Sequence, residues 1–216
     1  MPEAAQGRGA HPAARHCAPG RKGLKSARGG RALHPMSPLV LPPEARHVLA
    51  AVEGWRLLGL PDDAAAEWSR LSPAGRASRP GLHLRWQTSA AQGDWTGGLK
   101  TARALIAAHP DDPAGALFEA YALRRVPGGG LPAAWEVLHA AAEIFPGVDT
   151  IAYNLACYAA QLGRPDDAWE WFLRATQLAG DHAALAALAL RDDDLRPLWP
   201  RIRDLGRREA PRPLAR

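Results

Sequence analysis

Apolar residues in this chain recur at helical spacing. In the stretch beginning at Pro165 they fall at Ala168, Phe172 and Ala175, and in the stretch beginning at Leu131 at Ala134, Leu138 and Ala141. Steps of three and four place such residues along one face of a helix, with charged residues left for the other. The pattern starts close to Met36 in "MSPLVLPPEARHVLA" and returns at the end of the chain in Leu198, Ile202 and Leu205. No alternating period that would mark strands competes with it, and an all-α fold is expected.

The helical pattern is itself repeated. Gly59, Gly93, Gly129 and Gly163 are separated by 34, 36 and 34 positions. Five residues after each stands a small residue, Ala64, Gly98, Ala134 or Ala168, and four residues later Trp68, Ala102, Leu138 or Phe172. The later units close on Pro110, Pro146 and Gly180 at a matching offset. A glycine permits the positive φ that ends one helix, a small residue lets two helix axes approach to about 8–10 Å, and a large side chain one turn on fills the space beside them. The four glycines are therefore expected to occupy equivalent bends. A period near 34 residues with these features signals stacked helix pairs.

In these residues the chain resembles the tetratricopeptide repeat (TPR) family. Units are placed at 45–78, 79–114, 115–148 and 149–182. The fourth matches best, with Leu155-Ala156, Gly163, Ala168, Phe172, Ala175 and Gly180 in phase. In the first, Trp55 stands where the family has Tyr; the second has Trp86 where a small residue belongs; the third carries Tyr121-Ala122 and an enlarged turn, "PGGGLP". The resemblance implies a right-handed α-solenoid of about four units. Residues 183–206 follow as a capping segment, with a short helix over residues 183–190, Asp194 as an N-cap and a last helix over residues 195–205. The segment resembles the end of many bacterial TPR arrays, and the Ala/Arg-rich composition, with Lys22, Lys25 and Lys100 as its only lysines, is that of a GC-rich bacterial genome.

In "GRPDDAWEWF" and "GLPDDAAAEW" the paired acids invite a catalytic reading. Yet Pro165 suits the first helical position, and Asp166 and Asp167 then stand in the first turn, where the helix dipole favours negative charge. They read as helix starters, as do Asp111 and Asp112 in "HPDDP" and the "RDDD" string at 191–194. Catalytic acid pairs need a pocket that drives their pKa values apart. The sites expected are therefore: catalytic none, metal none, cofactor none. His11, His16 and Cys17 cluster without a second ligand pair, and the tryptophans of the repeat helices read as packing residues.

Net charge is +5, but its placement matters more than its sum. Residues 1–35 hold seven Lys/Arg against Glu3 alone, the end after Pro200 holds six Arg against two acids, and residues 36–200 come to −5. The basic ends lack the interleaved aromatics that stack bases, which leaves nucleic-acid association as the alternative reading, with a strong salt dependence. The Gly/Pro/Arg-rich segment 1–35 cannot bury enough apolar surface to order itself and is expected to be disordered. It also reads as an over-extended start before Met36, or as an Arg-rich transit peptide whose Gly and Pro spoil an amphipathic helix. Residues 207–216 form a second basic tail. Two distant cysteines, no apolar run of about 18 to 20 residues and no secretory h-region point to a cytoplasmic protein without a membrane span.

The family resemblance implies a non-enzymatic adaptor whose partner, an unidentified peptide or protein segment, lies in the concave groove of the first helices. The positions that usually face that groove are Arg46, Leu49, Glu53 and Arg56; His83 and Gln87; Glu119 and Leu123; and Tyr153, Asn154, Cys157 and Gln161. No lysine stands among them, so a Lys-based carboxylate clamp is not expected. Neither the oligomeric state nor the partner follows from the sequence.

Overall fold

The structure, a computed structural model, describes residues 41–209. Its elements are α1 (Pro43–Leu57), α2 (Pro61–Trp68), α3 (Pro73–Ala77), α4 (Arg79–Gln92), α5 (Trp95–Ala108), α6 (Ala114–Leu123), α7 (Leu131–Ile144), α8 (Asp149–Gln161), α9 (Pro165–Ala179), α10 (His182–Ala189), a 3-10 segment (Asp193–Leu198) and α11 (Trp199–Glu209). Among the described residues there is no strand, and no helix is long and apolar enough to cross a membrane. The expectations for 1–35, for Cys17 and its histidine neighbours, and for the end of the basic tail lie outside the described residues. The chain divides into two compact units, with the boundary after Ile151.

In the first unit, described from residue 41 to residue 151, helices follow one another in pairs: α1 with α2, α4 with α5, α6 with α7. Helix α4 also packs on α1 and α2, and α6 on α5. The expected small residues sit where the helices close: Ala64 and Ala134 have no exposed surface, and Gly98 is buried. One core cluster joins Ala45, Leu49 and Leu71, edged by Trp68 and Leu84. A second joins Leu82, Trp86, Ala102, Leu105, Ala114 and Phe118. Trp86, out of place by repeat logic, is accommodated by Gly98, where an added Cβ would lie 3.6 Å from its Nε1. A large residue on α4 meets the smallest residue on α5, so the packed volume is shared differently from the other pairs.

Three of the four turn glycines behave alike. Gly59, Gly93 and Gly163 have φ of 75°, 72° and 73°. In each turn the glycine N–H donates to the carbonyl three residues back, and the next residue's N–H to the carbonyl five back. That is the closure of a helix on a left-handed residue. The expectation for Gly129 is corrected: positive φ falls on Gly128 and Gly130 instead. The reason lies in the longer turn. Helix α6 stops at Leu123, whose carbonyl accepts from Gly130 N–H at 2.8 Å, and a Cβ on Gly129 would lie 2.1 Å from that oxygen. Even so, α7 begins two residues after Gly129, as α2, α5 and α9 begin two after theirs. Repeat phase survives the insertion.

Helix α3 is not anticipated by the repeat. It starts at Pro73, with Ser72 Oγ accepting from Gly75 N–H at 3.2 Å, and a second serine cap, Ser78, opens α4 at once.

In the second unit, described from residue 152 to residue 209, α9 buries Ala168, Phe172, Ala175 and Thr176. Helix α10 packs on α9 and α11, and the 3-10 segment on α9 and α11 as well. The capping segment is present, but its start differs from expectation. The cap is Asp192, whose Oδ1 accepts from Asp194 N–H at 3.1 Å, and the last α-helix begins at Trp199 rather than at 195. Pro197 explains the delay: it has no N–H to give and obstructs a regular α-turn, so residues 193–198 take the tighter 3-10 form. Residues 152–160 of α8 are buried on every face.

Candidate functional site

The first helices of the repeat pairs carry the expected groove positions, and burial separates them into two groups. Leu49, Leu123, Tyr153, Asn154 and Cys157 are interior, each at 9% exposure or less. They cannot present side chains to an open groove, and their assignment as lining is corrected. Leu49 belongs to the core cluster of α1. Tyr153 and Cys157 turn to the capping segment, where Tyr153 Oη donates to Asp192 Oδ2 at 2.9 Å and Cys157 Sγ lies 3.7 Å from the same oxygen.

The remaining seven reach solvent at least in part. Glu53 and Arg56 on α1 pair with each other at 2.6 Å. Glu119 on α6 accepts from Arg103 Nε on α5 at 2.8 Å and is largely covered. Gln161 on α8 leans back on the Cys157 carbonyl at 3.4 Å. Arg46 on α1 and Gln87 on α4 make no side-chain hydrogen bond or ion pair among the described residues.

His83 on α4 has the most ordered surroundings. Its Nε2 stands 2.7 Å from Asp112 Oδ2, and the ring meets Phe118 edge-on, with centroids 5.2 Å apart. Asp112 is buried, accepts at Oδ1 from Ala114 N–H at 3.0 Å, and has Arg79 Nη1 at 3.5 Å. Asp111 accepts from Arg79 Nη2 at 2.8 Å. These two acids therefore do more than start a helix: they tie the head of α4 to the α5–α6 turn. The arrangement fixes the imidazole of His83 and leaves it part-exposed.

Both carboxyls are held below their ordinary pKa. For Asp111 the cause is first the bond from Arg79. Burial pushes Asp112 up, but the His83 bond, the Ala114 amide and the electrostatic pull of His83 and Arg79 together outweigh it. A lowered folded-state pKa means that the stabilisation is complete above the unfolded value, near 3.8, and is lost as pH falls through the folded values. Acid melts are accordingly expected to show Asp112→Asn losing less stability than wild type between neutral pH and pH below about 4. Parallel acid profiles would contradict this.

Beyond His83 the aromatics form a run. Trp86 stacks on Phe118 with centroids 4.1 Å apart, Tyr121 meets Trp86 edge-on at 5.7 Å, and the Arg125 guanidinium lies 3.8 Å from the Tyr121 centroid and 4.7 Å from that of Trp95. These contacts join α4, α5 and α6 and make a firm base under the polar positions.

Among the described residues, Cys157, Asp192 and Asp194 bring three potential metal-ligating atoms within 4.8 Å of one another. The hydrogen bonds to Asp192 account for this closeness.

Solved structures with a similar helix arrangement include proteins of two organisms. A MamA fragment, residue 41 to the end, from Desulfovibrio magneticus RS-1 aligns over 79% of this chain and 99% of its own, with a TM-score of 0.55 at 15% identity. TTC0263, described as a thermophilic TPR protein of Thermus thermophilus, aligns over 79% and 93%, with a TM-score of 0.57 at 21% identity. The chain has a TPR fold. A MamA RS-1 double mutant gives a TM-score of 0.54 at 15% identity over 78% of this chain and 98% of its own. At these identities the likeness is one of fold, and no family model and no curated protein matches the sequence. Within the TPR fold, the positions that sequence reasoning missed are Asp112 and Asp192. Their only sequence signal was acidity beside a helix start, which does not distinguish a buried anchor from a solvated cap.

Proposed function

We propose that this chain is a non-enzymatic adaptor that holds a peptide or protein segment against the first helices of its TPR units, with Arg46, His83 and Gln87 supplying polar contacts. The observation that carries this reading is the His83 site. A part-exposed imidazole, oriented by a buried carboxylate and an aromatic edge, offers directed hydrogen bonds at little ordering cost. Gln87, one turn further along α4, adds an amide with no side-chain partner among the described residues. No nucleophile–base pair stands with His83 among the described residues, so the same geometry favours binding over chemistry.

Arg46 and Gln87 have no described partners to lose, so exchanging them leaves the fold intact. Affinity capture with wild type and with the Arg46→Glu/Gln87→Ala variant is expected to differ by the loss of at least one partner, at unchanged melting temperature. Retention of every partner would count against the proposal.

A further inference from the structure

The turn between α1 and α2 departs from its counterparts in one respect, its side chains. Around Gly93 stand Ala91, Gln92 and Asp94, and around Gly163 stand Gln161, Leu162 and Arg164; around Gly59 stand Leu57, Leu58 and Leu60. The three turns share one backbone closure, so the leucines are not required by the bend. They are exposed by 56%, 70% and 43%, and Trp55 beside them by 37%. Scattered apolar residues on a surface need no explanation, but four within six positions of one rigid turn form a patch. Trp55 stands apart from other tryptophans of this surface. Trp68, Trp95, Trp169, Trp171 and Trp199 each carry an arginine over the ring, and among the described residues Trp55 carries none.

Charge beside the patch selects its occupant. Asp62 and Asp63 follow in the first turn of α2, both exposed. Asp62 is held by the neutral amide of Gln92 at 2.7 Å, and Asp63 has no side-chain partner among the described residues. The nearest cation in sequence, Arg56, is neutralised by Glu53. The tip is thus apolar beside two exposed carboxylates that no cationic side chain pairs among the described residues, on a backbone already fixed by the Leu60 N–H to Trp55 carbonyl bond at 3.0 Å.

We infer that this hairpin tip docks a partner protein segment that places leucine-type side chains between Lys or Arg residues. Apolar contact supplies the attraction, the carboxylates set the sign of the partner, and the closed turn avoids the cost of ordering a loop. Its residues, Trp55, Leu57, Leu58 and Leu60, are other than Arg46, His83 and Gln87, and neither reading depends on the other. Anionic lipid would meet like charge here, so a protein segment is favoured over a membrane.

The test uses a fluorescein-labelled amphipathic peptide of about fourteen residues, with leucines three and four apart and arginines between them, titrated against the full chain by anisotropy. Saturable binding is expected, weakened by salt and reduced about tenfold or more by Leu58→Asp and by Asp62→Asn/Asp63→Asn, but unchanged by Arg46→Glu/Gln87→Ala. Leu57→Ser provides a milder second variant, and thermal melts confirm that all remain folded. The proposal is overturned if a peptide with Glu in place of Arg binds equally, or if the tip variants bind like wild type. It is also overturned if the tip instead drives self-association in sedimentation, or retention on anionic vesicles, that Leu58→Asp abolishes.

Discussion

Replacing Phe172 with Ala is expected to lower the unfolding free energy by about 3–5 kcal/mol, while Asp166→Ala lowers it by about 1 kcal/mol or less. The ring has no exposed surface and stacks beside Trp169 with centroids 5.6 Å apart. It lies one turn beyond Ala168, itself fully buried, so truncation opens a cavity between helices whose approach the small residue has already set. Neighbouring side chains can relax into it only in part. Asp166, by contrast, is solvated. Its bond to Arg201, at 2.9 Å, joins side chains that are 89% and 43% exposed, and water takes the place of either partner. Urea denaturation of both variants decides the matter. Comparable losses at the two positions would mean that the turn is held by its carboxylates and not by packing.

A second large loss, about 3 kcal/mol, is expected for Asp192→Ala. The carboxylate is 2% exposed; it accepts from Tyr153 Oη and from Asp194 N–H, and it pins the 3-10 segment to α8. Removing it takes an acceptor from the buried Tyr153 hydroxyl and from the part-buried Asp194 N–H, and losing an interior acceptor costs more than a hydrogen bond contributes when made. Tyr153→Phe removes only one donor and should cost about 1 kcal/mol. Asp193→Ala, next in the chain but exposed, serves as the control. Hydrogen exchange should speed up first in residues 193–198 of the Asp192 variant. Equal stability of the Asp192 and Asp193 variants would show that the capping segment is held by Leu195, Leu198 and Ile202 alone.

These two residues mark how far the chain could be read without coordinates. Phe172 announces its place, because the glycine, the small residue and the large residue recur at fixed offsets, and helical geometry converts those offsets into a shared face. Asp192 does not. It sits in an acidic string beside Asp193 and Asp194, and nothing local says that one of the three turns inward to a tyrosine 39 positions earlier. Asp112 repeats the lesson with His83, 29 positions away. Pro113 keeps Asp112 out of the helix, a constraint visible in sequence, but its partners are set by how α4 meets the α5–α6 turn. For the groove, a residue's place within a repeat unit sets its helix face but not its depth: Tyr153, Asn154 and Cys157 fall on a stretch of α8 in which every residue is buried.

Sequence alone determined the helix pairs, their phase, the turns closed by Gly59, Gly93 and Gly163, and the small residues at the crossings. Each of these follows from torsional freedom and side-chain volume over one or two helical turns. Tertiary structure decided the rest: which acids became anchors, how Gly98 made room for Trp86, where Pro197 delayed the last helix, and which tryptophan and leucines stayed uncovered. Those outcomes depend on contacts between residues far apart in the chain, and burial and pairing at such distances are properties of packed surfaces that no local pattern encodes.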